Sequence, residues 1–205
     1  MTIRVHRGDL PDLSHYQVPA VAIDTETMGL DPHRDRLCVV QLSPGDGSAD
    51  VIQIPPGGAA APNLTKLLLD AAILKIFHFG RFDLAALQRG FGVMAGPVYC
   101  TKIASRLART YTDKHGLKDI VKEVLGVDLS KQQQLSDWGA QTLTDAQVAY
   151  AASDVLHLHA LREKLDAMLA REGRSELAQA CFRFLPDRVR LDLAGWATED
   201  IFSHS

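Results

Sequence analysis

Hydrophobic and polar positions alternate differently in the two halves of the chain. In the first half, short apolar runs are separated by turn residues. Residues 19–23 run apolar into Asp24, as a buried strand does, and Asp31-Pro32-His33-Arg34-Asp35 is turn chemistry. Residues 37–42 predict a second strand, Pro44-Gly45-Asp46-Gly47 a hairpin turn, and residues 50–54 a third strand. Asn63 is the expected cap of a short helix ending at Leu69, followed by a strand over 73–79, a helix over 81–91 and a short strand over 98–101. Beyond that point the apolar period lengthens to that of helices. These cover 102–109, 117–125 (stopped by Gly126), one long helix or two joined over 144–172, and an apolar-aromatic stretch from Leu177 to Trp196. Strands joined first by hairpins and then by helices predict an α/β fold with a mixed sheet flanked by helices.

Composition narrows the class. The chain has 205 residues, 46% hydrophobic and 23% charged, enough for one domain with a sizeable core and too apolar for general disorder. A membrane span is not expected, because the most apolar stretch (64–77) is interrupted by Lys66, Asp70 and Lys75. The start, MTIRVHRGDL, has no apolar core of a secretory signal. The three cysteines, Cys38, Cys100 and Cys181, form no CxxC pair, which fits a reducing cytoplasm. With 22 basic and 25 acidic residues the net charge is −3. A protein that grips long nucleic acid usually has a basic excess, so a nucleic-acid substrate here would be short, or held by local charges or bound metal.

Three sequence features carry chemistry. In Ile23-Asp24-Thr25-Glu26-Thr27 two acids stand two residues apart at a strand end, on one face, with Cα atoms about 6.5 Å apart. Such a pair suits a metal site or glycosidase chemistry, and also a simple turn before Gly29. In His78-Phe79-Gly80-Arg81-Phe82-Asp83 the acid falls in a first helical turn, where it also complements the helix dipole, and His78 is equally suited to filling the core. In Tyr150-Ala151-Ala152-Ser153-Asp154 the spacing of four sets phenol and carboxylate on one helix face, flanking a core stripe of Val148, Ala151, Val155 and Leu165. A packed aromatic beside a solvated acid is the plainer alternative. Four carboxylates brought close together cannot all ionise without a cation among them. Hard oxygen ligands favour Mg²⁺ or Mn²⁺, and two such ions clamp the oxygens of a phosphodiester.

The segments IDTE, HFGRFD and YAASD resemble the three motifs of the DEDD 3′–5′ exonucleases, in the tyrosine subclass that includes ribonuclease D. The likeness spans about residues 20–165. It includes Gly116-Leu117-Lys118-Asp119 and Ser136-Asp137-Trp138, and over the whole chain it is similar to a compact branch that degrades diribonucleotides and other very short RNA. The histidine subclass has its base five residues before the last acid, a position held here by Ala149. The resemblance implies a single RNase H-like exonuclease domain over 1–172 with a C-terminal helical extension over 173–205, packed on the domain or on a neighbouring subunit. It also implies two divalent ions, Mg²⁺ or Mn²⁺. Asp24, Glu26 and Asp154 would hold one; Asp24 and Asp83 would serve the other, and Tyr150 would orient water. Thr25, Leu30 and His78 are candidate substrate contacts, Lys102 and Lys131 candidate phosphate contacts. Short RNA is the implied substrate, with DNA ends or longer RNA as the alternative and a non-enzymatic nucleic-acid binder as the remaining one. A homo-octamer in the cytoplasm is the implied assembly.

Overall fold

The computed structural model describes residues 2–129, 133 and 135–204. Lys131 lies outside the described residues, so its suggested phosphate contact has no structural counterpart below. Among the described residues six strands form one mixed sheet: β1 (Thr2–Arg7), β2 (Ala20–Thr27), β3 (Leu37–Ser43), β4 (Ser48–Gln53), β5 (Leu74–Phe77) and β6 (Val98–Cys100), in the order β1-β4-β3-β2-β5-β6. The β2-β3-β4 meander is antiparallel, while β1, β5 and β6 join it parallel to their neighbours. β3 is buried along its whole length, consistent with a central strand covered on both faces.

Helices flank this sheet: α1 (Pro62–Leu69), α2 (Gly80–Phe91), α3 (Thr101–Ala108), α4 (Leu117–Leu125), α5 (Asp145–Leu156), α6 (Leu158–Arg171) and α7 (Ser175–Leu191). α5 packs over β2, β3 and β4, and α2 packs on β2 and β3. Thr144 and Gln147 form a reciprocal capping box at the start of α5, so the helix bearing Tyr150 and Asp154 begins at a defined place. Ala151 and Val155 of the expected stripe are buried, Val148 is half-buried, and Leu165 is buried from the next helix. The buried stripe of α7 (Ala178, Phe182, Leu185 and Val189) joins the same core.

Several expected boundaries need correction. β1 was not expected, and it joins the sheet edge beside β4. Asn63 is not the cap of α1. Ala61, at φ 43°, precedes that helix, and the Asp9 carboxylate accepts from the backbone N–H groups of Asn63 (2.9 Å) and Leu64 (2.8 Å). A distant acid thus satisfies the helix end that a local side chain was expected to serve. The strand expected over 73–79 ends at Phe77, because Phe79 turns left-handed at φ 64° and delivers the chain into α2. The stretch 144–172 takes the second of its two expected forms, two helices joined at His157.

Candidate active site

The sheet positions the first pair of acids. Asp24 and Glu26 pair across the ladder with Gln41 and Val39, so both project to the face under α5. The register shifts between Glu26 and Thr27, which pair with Val39 and Leu37, so that Cys38 of β3 is bulged out of the ladder. From α5, Asp154 completes a set in which one carboxylate oxygen each from Asp24, Glu26 and Asp154 lies within 4.8 Å of the others. Asp83 is not one of that set. It is buried in the first turns of α2 and accepts a 2.7 Å hydrogen bond from the Thr25 hydroxyl. Its charge is nevertheless felt by Asp24, which is pushed well up first by burial and then by Asp83, Asp154 and Glu26.

The other acids share this strain. Burial, followed by Asp154 and Asp83, pushes Glu26 up to about 9. Burial raises Asp83 to about 7 against the opposing Thr25 hydrogen bond, and raises Asp154 to about 7 against the pull of Tyr150. The Tyr150 phenol is itself raised, by burial first and then by the charges of Asp154 and Glu26. Its ring leans against Trp138, centroids 6.0 Å apart.

A cleft of about 570 Å³ is lined by Asp24, Glu26, Tyr150 and Asp154, with Thr25, Leu30, His78 and Lys102 also at its walls. Leu30 is 84% exposed, and it follows Gly29, where an added Cβ would require the Asp35 carboxylate to move aside. His78 is held by a 2.9 Å bond between Nδ1 and the Thr101 hydroxyl, which in turn donates to the Phe77 carbonyl. The backbone of His115 also holds the ring by a hydrogen bond that favours its protonated form. Burial, then the charge of Lys102, holds His78 down at about 3, so the ring is neutral. The Lys102 ammonium sits 4.3 Å above the Phe79 ring centroid. Phe79, Phe82 and Trp138 also line the cleft, and sequence reasoning had given them no role. The aromatic pair flanking Gly80-Arg81 was the available sign.

The donor set suits a hard divalent cation: all oxygen, all carboxylate, and destabilised as anions without a counter-charge. Beside this cluster, among the described residues, the buried side-chain polar atoms without partners are both amide atoms of Gln41, next to Asp24 in register, and the indole nitrogen of Trp138, next to Tyr150 in space.

A sheet and acid cluster of this kind define an exonuclease of the RNase H-like class, and residues 13–170 match the family model described as 3′-5′ exonuclease. The chain belongs to that family, in its ribonuclease D-like branch. Over its full length it is similar to Brucella melitensis NrnC, whose Mg²⁺-bound structure is 65% identical, covers 100% of both chains and superposes with TM-score 0.96. A structure of the same Brucella protein bound to pGG is 66% identical with TM-score 0.97 and the same full coverage. Escherichia coli RNase D is 29% identical with TM-score 0.77, covering 86% of this chain and 46% of that one. Among curated relatives, ribonuclease D of Gluconacetobacter diazotrophicus is 36% identical over 169 residues, 82% of this chain and 42% of the relative. The chain therefore spans about two fifths of the length of such relatives.

Proposed function

We propose that the chain is a metal-dependent 3′–5′ exoribonuclease that hydrolyses very short RNA, diribonucleotides foremost, to 5′-mononucleotides. The observation carrying this reading is the convergence of the Asp24, Glu26 and Asp154 oxygens in a cleft that Tyr150 also lines. Asp24, Glu26 and Asp154 would hold one divalent ion, Mg²⁺ or Mn²⁺; Asp24 and Asp83 would serve a second. When bound, two such ions supply charge stabilisation to the attacking and leaving oxygens of a phosphodiester. Tyr150 would orient the attacking water; burial raises its phenol from the ordinary value, which suits that role better than that of a free base. His78 is neutral and lines the cleft, which suits a polar contact to a sugar hydroxyl better than an ion pair with a phosphate. Leu30 wedges against a base, Lys102 brings positive charge for a phosphate, and the Thr25 backbone meets the terminal nucleotide.

Shortness of substrate is supported by the cleft, whose volume falls in the range of small-ligand sites, and by the net charge of −3. The pGG bound to the 66%-identical Brucella protein supports it too. We assign residues 1–172 to the exonuclease domain and 173–205 to an extension. The exposed Trp196, Ile201 and Phe202 of that extension suit a contact between subunits of a homo-octamer. Among the described residues no helix is long and apolar enough to cross a membrane, and a cytoplasmic site of action is part of the same reading.

The test is incubation with a 5′-phosphorylated diribonucleotide and Mg²⁺, with and without EDTA, followed by separation of products. Mononucleotide release that EDTA stops is expected, with kcat/KM for the two-mer above that for a ten-mer RNA or for DNA ends. No EDTA-sensitive release defeats the reading; a preference for DNA or the longer RNA moves it to the alternative substrates.

A further inference from the structure

Gln41 lies within β3, fully buried, yet neither its amide nitrogen nor its amide oxygen has a hydrogen-bond partner. Leaving a buried polar group unpaired costs about 1–3 kcal/mol, and proteins pair nearly all of them. The strand around it is Leu37-Cys38-Val39-Val40 on one side and Leu42 on the other, so packing alone gives no reason for a glutamine. The ladder gives one. Gln41 is the direct cross-strand partner of Asp24. Opposed residues of an antiparallel pair project to the same face with Cβ atoms about 4.5–5.5 Å apart, within the reach of a glutamine side chain. Its partner on the other side, Val51 of β4, has no polar side-chain atom to give.

We propose that Gln41 is a positioning residue for Asp24: when cations are held at the acidic cluster, the Gln41 amide nitrogen donates to the Asp24 carboxylate and fixes its orientation. This rests on the cation-binding reading above. The chemistry of the side chain fits the task. A lysine there would neutralise Asp24 and compete with the ion, whereas a neutral amide N–H orients a carboxylate without adding charge. Such supporting hydrogen bonds are worth about 10–100-fold in metal affinity.

The experiment compares wild type with Gln41→Met, which is close in shape and makes no hydrogen bond, and with Gln41→Leu as a second apolar variant. Ion affinity is read by calorimetric titration of the apo protein with Mg²⁺ and with Mn²⁺, and apo stability by thermal melting. Expected are about 10–100-fold weaker ion binding in both variants, an apo Tm equal to or above wild type, and a loss in kcat with KM little changed. Unchanged ion affinity in Gln41→Met overturns the inference, whether or not its apo Tm falls, since Gln41 would then serve the fold alone. A wild type that binds neither ion overturns the cation reading itself, and this inference with it.

Discussion

The Thr25 hydroxyl donates a 2.7 Å hydrogen bond to the Asp83 carboxylate, joining α2 to β2 through the residue that stands between Asp24 and Glu26 on the strand. Thr25 thus has a task distinct from any backbone contact with substrate: it holds a buried acid that would otherwise have one partner fewer. Replacing it by valine keeps the shape and removes the donor. Thr25→Val is expected to lose about 1–3 kcal/mol in urea unfolding, and Thr25→Ser to retain most of the stability. Equal stability of the valine variant and wild type would show that the bond contributes nothing.

Asp154 completes the three-oxygen cluster and also adds a like charge to it. Asp154→Asn is expected to lower turnover of a diribonucleotide by about 10³-fold or more, the equivalent of about 4 kcal/mol. Relief of repulsion should at the same time raise the apo Tm by a few degrees, for a gain on the order of 1 kcal/mol. Activity assays and melting curves on one preparation check both. Near-normal turnover would remove Asp154 from the chemistry, and a large fall in Tm would make its role structural.

What the sequence disclosed follows from how local each cause is. Asp24 and Glu26 were legible because strand alternation fixes their common face, and Tyr150 with Asp154 because a spacing of four does the same on a helix. β1 was not legible: its partner β4 lies some 45 residues away, and Arg4 and His6 interrupt its apolar pattern. The cap of α1 was misread because its acceptor, Asp9, comes from 54 residues upstream of Asn63. The break at His157 carries neither glycine nor proline. That Asp83 faces Thr25, and that Gln41 stands behind Asp24 without a partner, are facts of register and packing.

Asp50 supplies a pH dependence away from the cleft. Burial alone would raise its pKa, but hydrogen bonds from Arg4, Tyr16 and His6 more than offset this and hold it at about 2. A carboxylate whose folded pKa lies below its ordinary value contributes stability above the ordinary value and loses it as pH falls through the folded one. Stability worth on the order of 2 kcal/mol should therefore disappear between about pH 4 and pH 2. Urea titrations across that window should show this loss in wild type and a flatter profile in Asp50→Asn, which starts from lower stability at pH 7. Parallel profiles would assign the acid sensitivity to other groups.

Leu30 separates binding from folding. At 84% exposed it has almost no burial to lose, so Leu30→Ala should change unfolding free energy by less than about 0.5 kcal/mol. Yet a large apolar side chain projecting at the wall of a cleft gains its burial only when something packs on it. If that something is a base of the substrate, the truncation removes an apolar contact worth about 1–3 kcal/mol, or about 10–200-fold in kcat/KM. The contact would be made equally in the ground and transition states, so the loss should fall mainly on KM. Steady-state kinetics on a diribonucleotide, with a melting curve of the same sample, decide it: unchanged kcat/KM would leave Leu30 as surface, and a fall in Tm of several degrees would make it part of the turn.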